Sequence, residues 1–288
     1  MTYQPFRAGV IQMRSGTDPN RNIAELTERV AEAVSAGADY VQTPEMTGAL
    51  VRDRAQLLDV LADEASDPVV AAAAELAARH GIYLHIGSTP ISVSGGKVAN
   101  RTFLFGPRGD IVARYDKIHM FDVDLDNGES WRESATYQPG QKSVVVDLPI
   151  ARLGLSICYD LRFPDIFQKQ ALAGANLLCV PAAFTRQTGG AHWHVLLRAR
   201  AIENGAFVVA AAQGGVHEDG RETFGHSIII DPWGRVVAEA EHDEPAVVVA
   251  DIDVRESKIA RNKIPNLQNR CPFEVAHIQP VDLAGVSA

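Results

Sequence analysis

The stretch Gly154-Leu155-Ser156-Ile157-Cys158-Tyr159-Asp160-Leu161-Arg162-Phe163-Pro164 decides how the chain folds. An apolar run over 153–157 reads as a buried strand, and Pro164 opens a helical pattern that continues to Ala173. Proline suits a first helical turn, where its missing N–H is not needed. A strand that turns directly into a helix projects the turn residue, Cys158, from the carboxyl edge of a sheet, where α/β folds place their sites. The same alternation extends outward. Residues 7–13 read as a strand, and Asp18-Pro19-Asn20 starts a helix carrying Ile23, Leu26, Val30 and Val34 at helical spacing, with a stop at Gly37. Residues 38–42 form a second strand that runs into Thr43-Pro44-Glu45. Asp67-Pro68 caps an alanine-rich helix ending at Gly81, and 82–87 is the next strand.

The middle of the chain introduces hairpins. Strands over 102–105 and 111–114 flank Gly106-Pro107-Arg108-Gly109, and a near copy places Asp231-Pro232-Trp233-Gly234 between 228–230 and 235–240. Between the copies, 176–180 leads to a helix over about 190–204, followed by a strand over 207–212. Two halves of similar content predict two sheets facing each other with helices outside, an α/β protein. No Gly/Ser-rich or charge-block linker interrupts the chain, so residues 1–288 are expected to form a single domain. From about Glu256 a short helix and a tail with Pro265 and Pro272 suit an arm lying on another surface.

Composition excludes several functions. Among 288 residues, 36 are acidic and 27 basic, for a net charge of −9. That balance offers no concentrated cationic face for nucleic acid. No apolar stretch approaches the roughly 20 residues that span a bilayer, and the N-terminus lacks the basic and apolar regions of an export signal. Three widely spaced cysteines form no disulfide framework and suit a reducing cytoplasm.

Candidate chemistry centres on Cys158. A helix start beside it favours thiolate and oxyanion charge, although a lone cysteine is more commonly a buried structural residue. Cys179 fits that second role within Leu177-Leu178-Cys179-Val180, and Cys271 lies in the irregular tail. A thiol nucleophile needs a base and a group to hold the oxyanion. The nine histidines show no Cys/His pattern, but two strand ends offer polar groups: Glu45 after 38–42 and Lys117 after 111–114. Arg162 presents a guanidinium fork suited to a substrate carboxylate, with an ion pair to Asp160 or Asp165 as the alternative. Phe184, Thr185 and Trp193 are expected to shape the pocket wall. His192-Trp193-His194, with His217 and His226 downstream, does not read as a metal site, because positions i and i+2 do not share a helix face. The Gly-Gly pairs at 189 and 214 lack a nucleotide-cradle pattern. Neither metal nor organic cofactor is expected.

Taken together, Thr43-Pro44-Glu45, Tyr115-Asp116-Lys117-Ile118-His119 and the segment around Cys158 resemble the carbon–nitrogen hydrolase (nitrilase) superfamily. Thr188-Gly189-Gly190-Ala191-His192-Trp193, Leu197–Asn204, Phe224–Ser227 and Asp231-Pro232-Trp233-Gly234 extend the match over nearly the whole chain. The chain is most similar to the Nit branch, which contains deaminated glutathione amidases and omega-amidases. The resemblance implies a four-layer αββα sandwich that pairs into a homodimer or higher homo-oligomer, with C-terminal arms crossing the interface. It implies Glu45 as base, Cys158 as nucleophile, Lys117 and the Tyr159 N–H as oxyanion holders, and a thioester intermediate. Glu133, rather than its neighbour Glu129, maps onto the second family glutamate that orients Lys117. The segment 46–54 departs from the branch, and His194 stands where many members carry an acid. The expected activity is hydrolysis of a small linear carboxylate-bearing amide to acid and ammonia, with deaminated glutathione favoured. Omega-amidase action on 2-oxo-acid amides, N-carbamoyl hydrolysis and a silent scaffold are the rivals. Glu45 lies between opposing influences, a thiol and Glu133 raising its pKa and Lys117 lowering it.

Overall fold

The computed structural model describes residues 3–125, 128 and 130–278. The first half runs β1 (Phe6–Gln12), α1 (Pro19–Ser35), β2 (Tyr40–Gln42), α2 (Arg54–Val60), α3 (Pro68–His80), β3 (Tyr83–Val93), β4 (Lys97–Phe105) and β5 (Ile111–Asp116). A ribbon of β6 (Asp122–Asp124) and β7 (Ser130–Arg132) follows. The second half is β8 (Val144–Asp147), β9 (Arg152–Leu155), α4 (Pro164–Leu172), β10 (Leu177–Cys179), α5 (Arg186–Asn204) and β11 (Phe207–Ala210). After a second ribbon, β12 (Gly214–Val216) and β13 (Glu222–Phe224), come β14 (Ile228–Ile230), β15 (Val236–Glu239), β16 (Ala246–Ile252) and α6 (Arg255–Lys263).

Two six-stranded sheets carry the molecule, in the orders β16-β1-β2-β3-β4-β5 and β8-β9-β10-β11-β14-β15. Each has three central parallel strands, a hairpin on one side and one antiparallel strand on the other. The two halves anticipated from sequence therefore share one topology. Side chains alternate along each strand with period two, which sorts the first sheet's residues into two cores. Phe6, Ala8, Val10, Tyr40 and Leu104 meet Leu153, Leu155, Leu177 and Val208 of the second sheet. Ile11, Val41, Leu84, Phe103 and Phe105 turn the other way, onto Leu26 and Val30 of α1 and Leu76 of α3. Phe167 of α4 and Trp193 and Leu197 of α5 cover the second sheet. The layers are helix, sheet, sheet, helix.

Local signals explain the helix ends. Asp67 Oδ1 accepts the N–H groups of Val69 and Val70, each at 2.9 Å, and Gly81 ends α3 in the left-handed conformation. Helix α5 begins at Arg186, ahead of the expected start near residue 190. Thr185 caps it, and a Cβ at Gly189 would lie 2.2 Å from Phe224 Cβ. The Gly-Gly pair is thus a helical turn packed tightly against β13, not a loop. Strand β16, for which the sequence suggested no element, pairs with β1 along seven residues. Among the described residues no helix is long and apolar enough to cross a membrane.

Between the sheets lies a small polar cluster. His85 Nδ1 faces Tyr40 Oη at 2.6 Å and Gln42 Nε2 at 3.3 Å, and Gln42 Oε1 accepts the Ala211 N–H at 3.0 Å. The ring sits in this fully buried cluster with no acid beside it, which favours its neutral form. Burial pushes the His85 pKa down from 6.5 to about 3. The folded value lies below the unfolded one, so this contribution to stability is complete above pH 6.5 and is lost as pH falls toward 3. Urea unfolding should show a loss of about 2 kcal/mol from this group between neutrality and about pH 5. His85→Gln should remove that part of the slope; equal slopes in both proteins would contradict the assignment.

Candidate active site

Three backbone segments converge where the two sheets end on the same side. Glu45 lies three residues beyond β2, Lys117 directly follows β5, and Cys158 lies three residues beyond β9. Gly87, within β3, makes the convergence possible. A Cβ there would fall 2.2 Å from Thr43 O, 2.5 Å from Pro44 O and 2.4 Å from Pro181 Cβ. Only a residue without a side chain lets the segments leading to Glu45 and to Ala183 close on β3.

Cys158 stands at φ +48° and Met46, next to Glu45, at φ +57°. Left-handed backbone at a non-glycine residue costs about 1–3 kcal/mol and persists only when its surroundings hold it. At Cys158 the hold is visible. Its N–H bonds Pro181 O at 2.8 Å. Two residues on, the fully buried Asp160 carboxylate accepts the Ile157 N–H at 2.9 Å, the Tyr115 hydroxyl at 2.6 Å and the His119 N–H at 3.1 Å. Asp160 thereby ties the cysteine turn to the segment that carries Lys117. At Glu45, Met46 N–H donates to Ser88 Oγ at 2.9 Å and Gln213 Nε2 donates to Glu45 O at 3.0 Å.

The Lys117 ammonium is 2% exposed and bridges two carboxylates: Glu45 Oε1 at 2.9 Å, and Glu133 Oε2 and Oε1 at 2.8 and 3.0 Å. Glu133, on a short 3₁₀ turn after β7, also accepts the Phe121 N–H at 2.6 Å. Asn100 Nδ2, from the middle of β4, donates to Glu45 Oε1 at 2.9 Å and to Glu133 Oε1 at 3.2 Å. The Ala183 N–H donates to Glu45 Oε2 at 3.1 Å, and the Cys158 thiol is near enough for the Glu45 charge to act on it.

One buried cation thus faces two carboxylates and a thiol, which decides where the proton rests. Burial pushes the Glu45 carboxyl up, but the Lys117 charge and the hydrogen bonds it receives outweigh that and leave its pKa below 4.5. Burial and the neighbouring Glu45 charge push the Cys158 thiol well above 9.0, with Lys117 opposing. Burial lowers the Lys117 pKa, and Glu133 and Glu45 more than reverse it, leaving it well above 10.5. The resting site holds two carboxylates, an ammonium and a neutral thiol. The expectation that a helix start would favour thiolate is therefore corrected: Cys158 opens a five-residue 3₁₀ turn, and the adjacent carboxylate governs its proton.

A cavity of about 240 Å³ opens above these groups. Glu45, Lys117, Glu133, Cys158, Tyr159, Arg162, Phe184 and Thr185 all line it. Trp193 does not. It is buried behind Phe184, ring centroids 5.1 Å apart, and donates from Nε1 to His226 O at 2.8 Å. Glu129, the alternative to Glu133, lies outside the described residues. Arg162 forms neither ion pair that its neighbours suggested, because Asp160 is committed to the cysteine turn and Asp165 pairs with Lys169 at 2.7 Å. Its Nη1 is 3.2 Å from His192 Nδ1, its guanidinium lies 5.1 Å from the Phe184 ring, and no described carboxylate pairs with it. Sequence reasoning missed Asn100, Asp160 and two lining arginines, Arg52 and Arg221, which sit 4.7 and 4.6 Å from the Trp131 ring. Arg52 belongs to the segment 46–54, whose residues 46–51 are buried, and its position in a divergent stretch gave no signal.

Comparison with known proteins adds an independent line. The sequence model of the carbon-nitrogen hydrolase family matches residues 7–261. The chain is 40% identical over 264 residues to a deaminated glutathione amidase of Yersinia enterocolitica, covering 90% of this chain and 91% of that protein. It is 35% identical over 260 residues to the omega-amidase NIT2 of Homo sapiens, covering 90% and 93%. The crystal structure of the C. elegans NitFhit protein superposes with a TM-score of 0.86 at 35% identity, covering 94% of this chain and 66% of that one.

Removing the shared cation should be costly. Lys117→Met leaves two buried carboxylates facing each other and should destabilise the fold by about 3–5 kcal/mol at neutral pH, read by urea unfolding. The deficit should narrow as pH falls, because one of the unpaired carboxylates can then bind a proton. A deficit independent of pH would show that the lysine contributes packing alone.

Proposed function

The chain belongs to the carbon–nitrogen hydrolase family, and from that premise we propose that it is an amidase acting through Glu45, Lys117 and Cys158. The single observation that carries the proposal is the buried Glu45 carboxylate held by the Lys117 ammonium at 2.9 Å on a cavity floor that Cys158 shares. As the sulfur attacks the amide carbonyl, Glu45 takes the thiol proton and a C–S bond forms. Lys117 Nζ and the Tyr159 N–H hold the oxyanion; that N–H makes no hydrogen bond to any described residue. Collapse breaks the C–N bond as Glu45 passes its proton to the departing nitrogen, leaving a thioester. Water, deprotonated by Glu45, then attacks the thioester, and the sulfur recovers its proton as the C–S bond breaks. Glu133 and Asn100 orient Lys117 and Glu45 throughout.

The cavity's charge supports an anionic substrate. Arg162 lines the cavity with a guanidinium that has no described carboxylate partner, and Arg52 and Arg221 lie against Trp131. Two separated cationic positions fit a molecule with a carboxylate at each end, as in deaminated glutathione. That substrate would release 2-oxoglutarate and the amine of a cysteinylglycine dipeptide. Ammonia, the product expected from sequence, would come only from a primary ω-amide. We further place residues 1–288 in one hydrolase domain with a C-terminal arm, working in the cytoplasm, where its three free cysteines stay reduced. Exposed Ile202, Trp233, Ile259 and Ile264, with Phe273 and Ile278 on the tail, support a homodimer.

Cys158→Ala should abolish turnover while leaving the unfolding curve unchanged, and intact-mass analysis of the wild type with a slow substrate should show an acyl adduct on Cys158. Glu45→Gln should slow turnover by roughly 100- to 10,000-fold. Arg162→Met should raise KM for a dicarboxylate substrate roughly 10- to 100-fold and leave a neutral amide unaffected. Release of 2-oxoglutarate from deaminated glutathione supports the favoured substrate; much faster ammonia release from 2-oxo-acid amides would assign the omega-amidase reaction instead.

A further inference from the structure

Outside the cavity, α5, the approach to β14 and the end of β15 bring three donor groups together. His194 Nε2 lies 2.7 Å from Glu239 Oε1, and His226 Nδ1 lies 2.8 Å from that same oxygen. The three ligand atoms all lie within 4.8 Å of one another. We propose that His194, His226 and Glu239 form a binding site for a zinc-like divalent transition-metal ion.

The surroundings fix the donors. The His226 ring stacks on Phe224, centroids 4.3 Å apart and planes 20° apart, and the His194 ring meets the same phenylalanine edge-on. His226 is held at φ +59°, with its carbonyl bound by Trp193 Nε1 and its N–H directed to His242 O. In this left-handed turn, two residues before β14, the ring faces Glu239. Each imidazole offers its lone pair to a metal when its hydrogen sits on the other ring nitrogen, so binding needs only a change of tautomer. Zinc bonds to nitrogen and carboxylate oxygen are about 2.0–2.2 Å long, which sets neighbouring ligand atoms about 3.3 Å apart in a tetrahedron. The two contacts to Glu239 would each open by roughly half an ångström, and the two imidazole nitrogens, now within 4.8 Å, would settle at the same spacing. Two imidazoles and one carboxylate suit zinc or cobalt rather than magnesium or calcium, which take oxygen ligands. The His194 side chain is 36% exposed, so an ion can enter and water can complete its shell. Sequence alone sets His194 and His226 aside as a metal pair because it weighs them with His192, which diverges from His194, whereas Glu239 supplies the third donor.

Bound to the native chain alone, the ion would clip α5 to the β14–β15 hairpin and raise the unfolding temperature. Equilibrium dialysis of metal-stripped protein against zinc should retain one equivalent. His194→Ala should weaken that binding by more than the roughly 10- to 100-fold that losing an outer-sphere partner costs, and Glu239→Gln should do likewise. Both variants should keep their amidase activity, which shows that they fold. Zinc should raise Tm in the wild type and not in His194→Ala. Cobalt substitution should give visible absorption without a thiolate charge-transfer band, distinguishing this site from Cys158. No retained zinc in the wild type, an equivalent that persists in His194→Ala, or a thiolate band would each overturn the proposal.

Discussion

A single buried ammonium shared between two carboxylates organises this molecule. Lys117 is removed from water, and burying such a charge is tolerable only when opposite charge and hydrogen bonds surround it. Glu45 and Glu133 supply that charge, and Asn100 bonds to both carboxylates. The same contacts keep Glu45 ionised beside a thiol that keeps its proton. Electrostatic cohesion and readiness for proton transfer are therefore one arrangement. In the proposed mechanism, a base that is already charged needs no ion pair to be assembled first.

The architecture explains how three such groups can meet. Strands β2 and β5 belong to one sheet and β9 to the other, and the sheets share a core built from the inward residue of each alternating pair. Rigid strands deliver side chains to their ends more reproducibly than loops do. What remains is closure at the edge, and Gly87 and Asp160 provide it: one by lacking a side chain where three segments meet, the other by fastening the cysteine turn to the lysine segment.

Much of this was legible in the chain itself. Period-two and helical spacing revealed the βα alternation and the paired hairpins, and the Asp67-Pro68 cap and the Gly81 stop coincide with the ends of α3. Glu45, Lys117 and Cys158 stood out because each follows a strand. Glu133 did not, since it rests on a short irregular turn, and only family resemblance pointed to it. Asn100 was hidden for another reason: the strand read from sequence began at 102 and left Asn100 outside it, whereas its amide lies in β4, fully buried beside two carboxylates. Strand β16 pairs with β1 across more than 230 residues of chain, and no local pattern encodes such a partner. The charge state of Glu45 was equally out of reach, because its sign depends on distances to Lys117 and Asn100 rather than on composition.

The pH dependence of kcat/KM on folded enzyme bears on all of this at once. With the Glu45 pKa below 4.5 and the Cys158 pKa well above 9.0, the profile should be flat between pH 4.5 and 9.0 and fall on the acid side only below 4.5. A rate that climbs through neutrality in step with thiolate formation would contradict the assignment. It would mean that the sulfur, not Glu45, carries the resting negative charge.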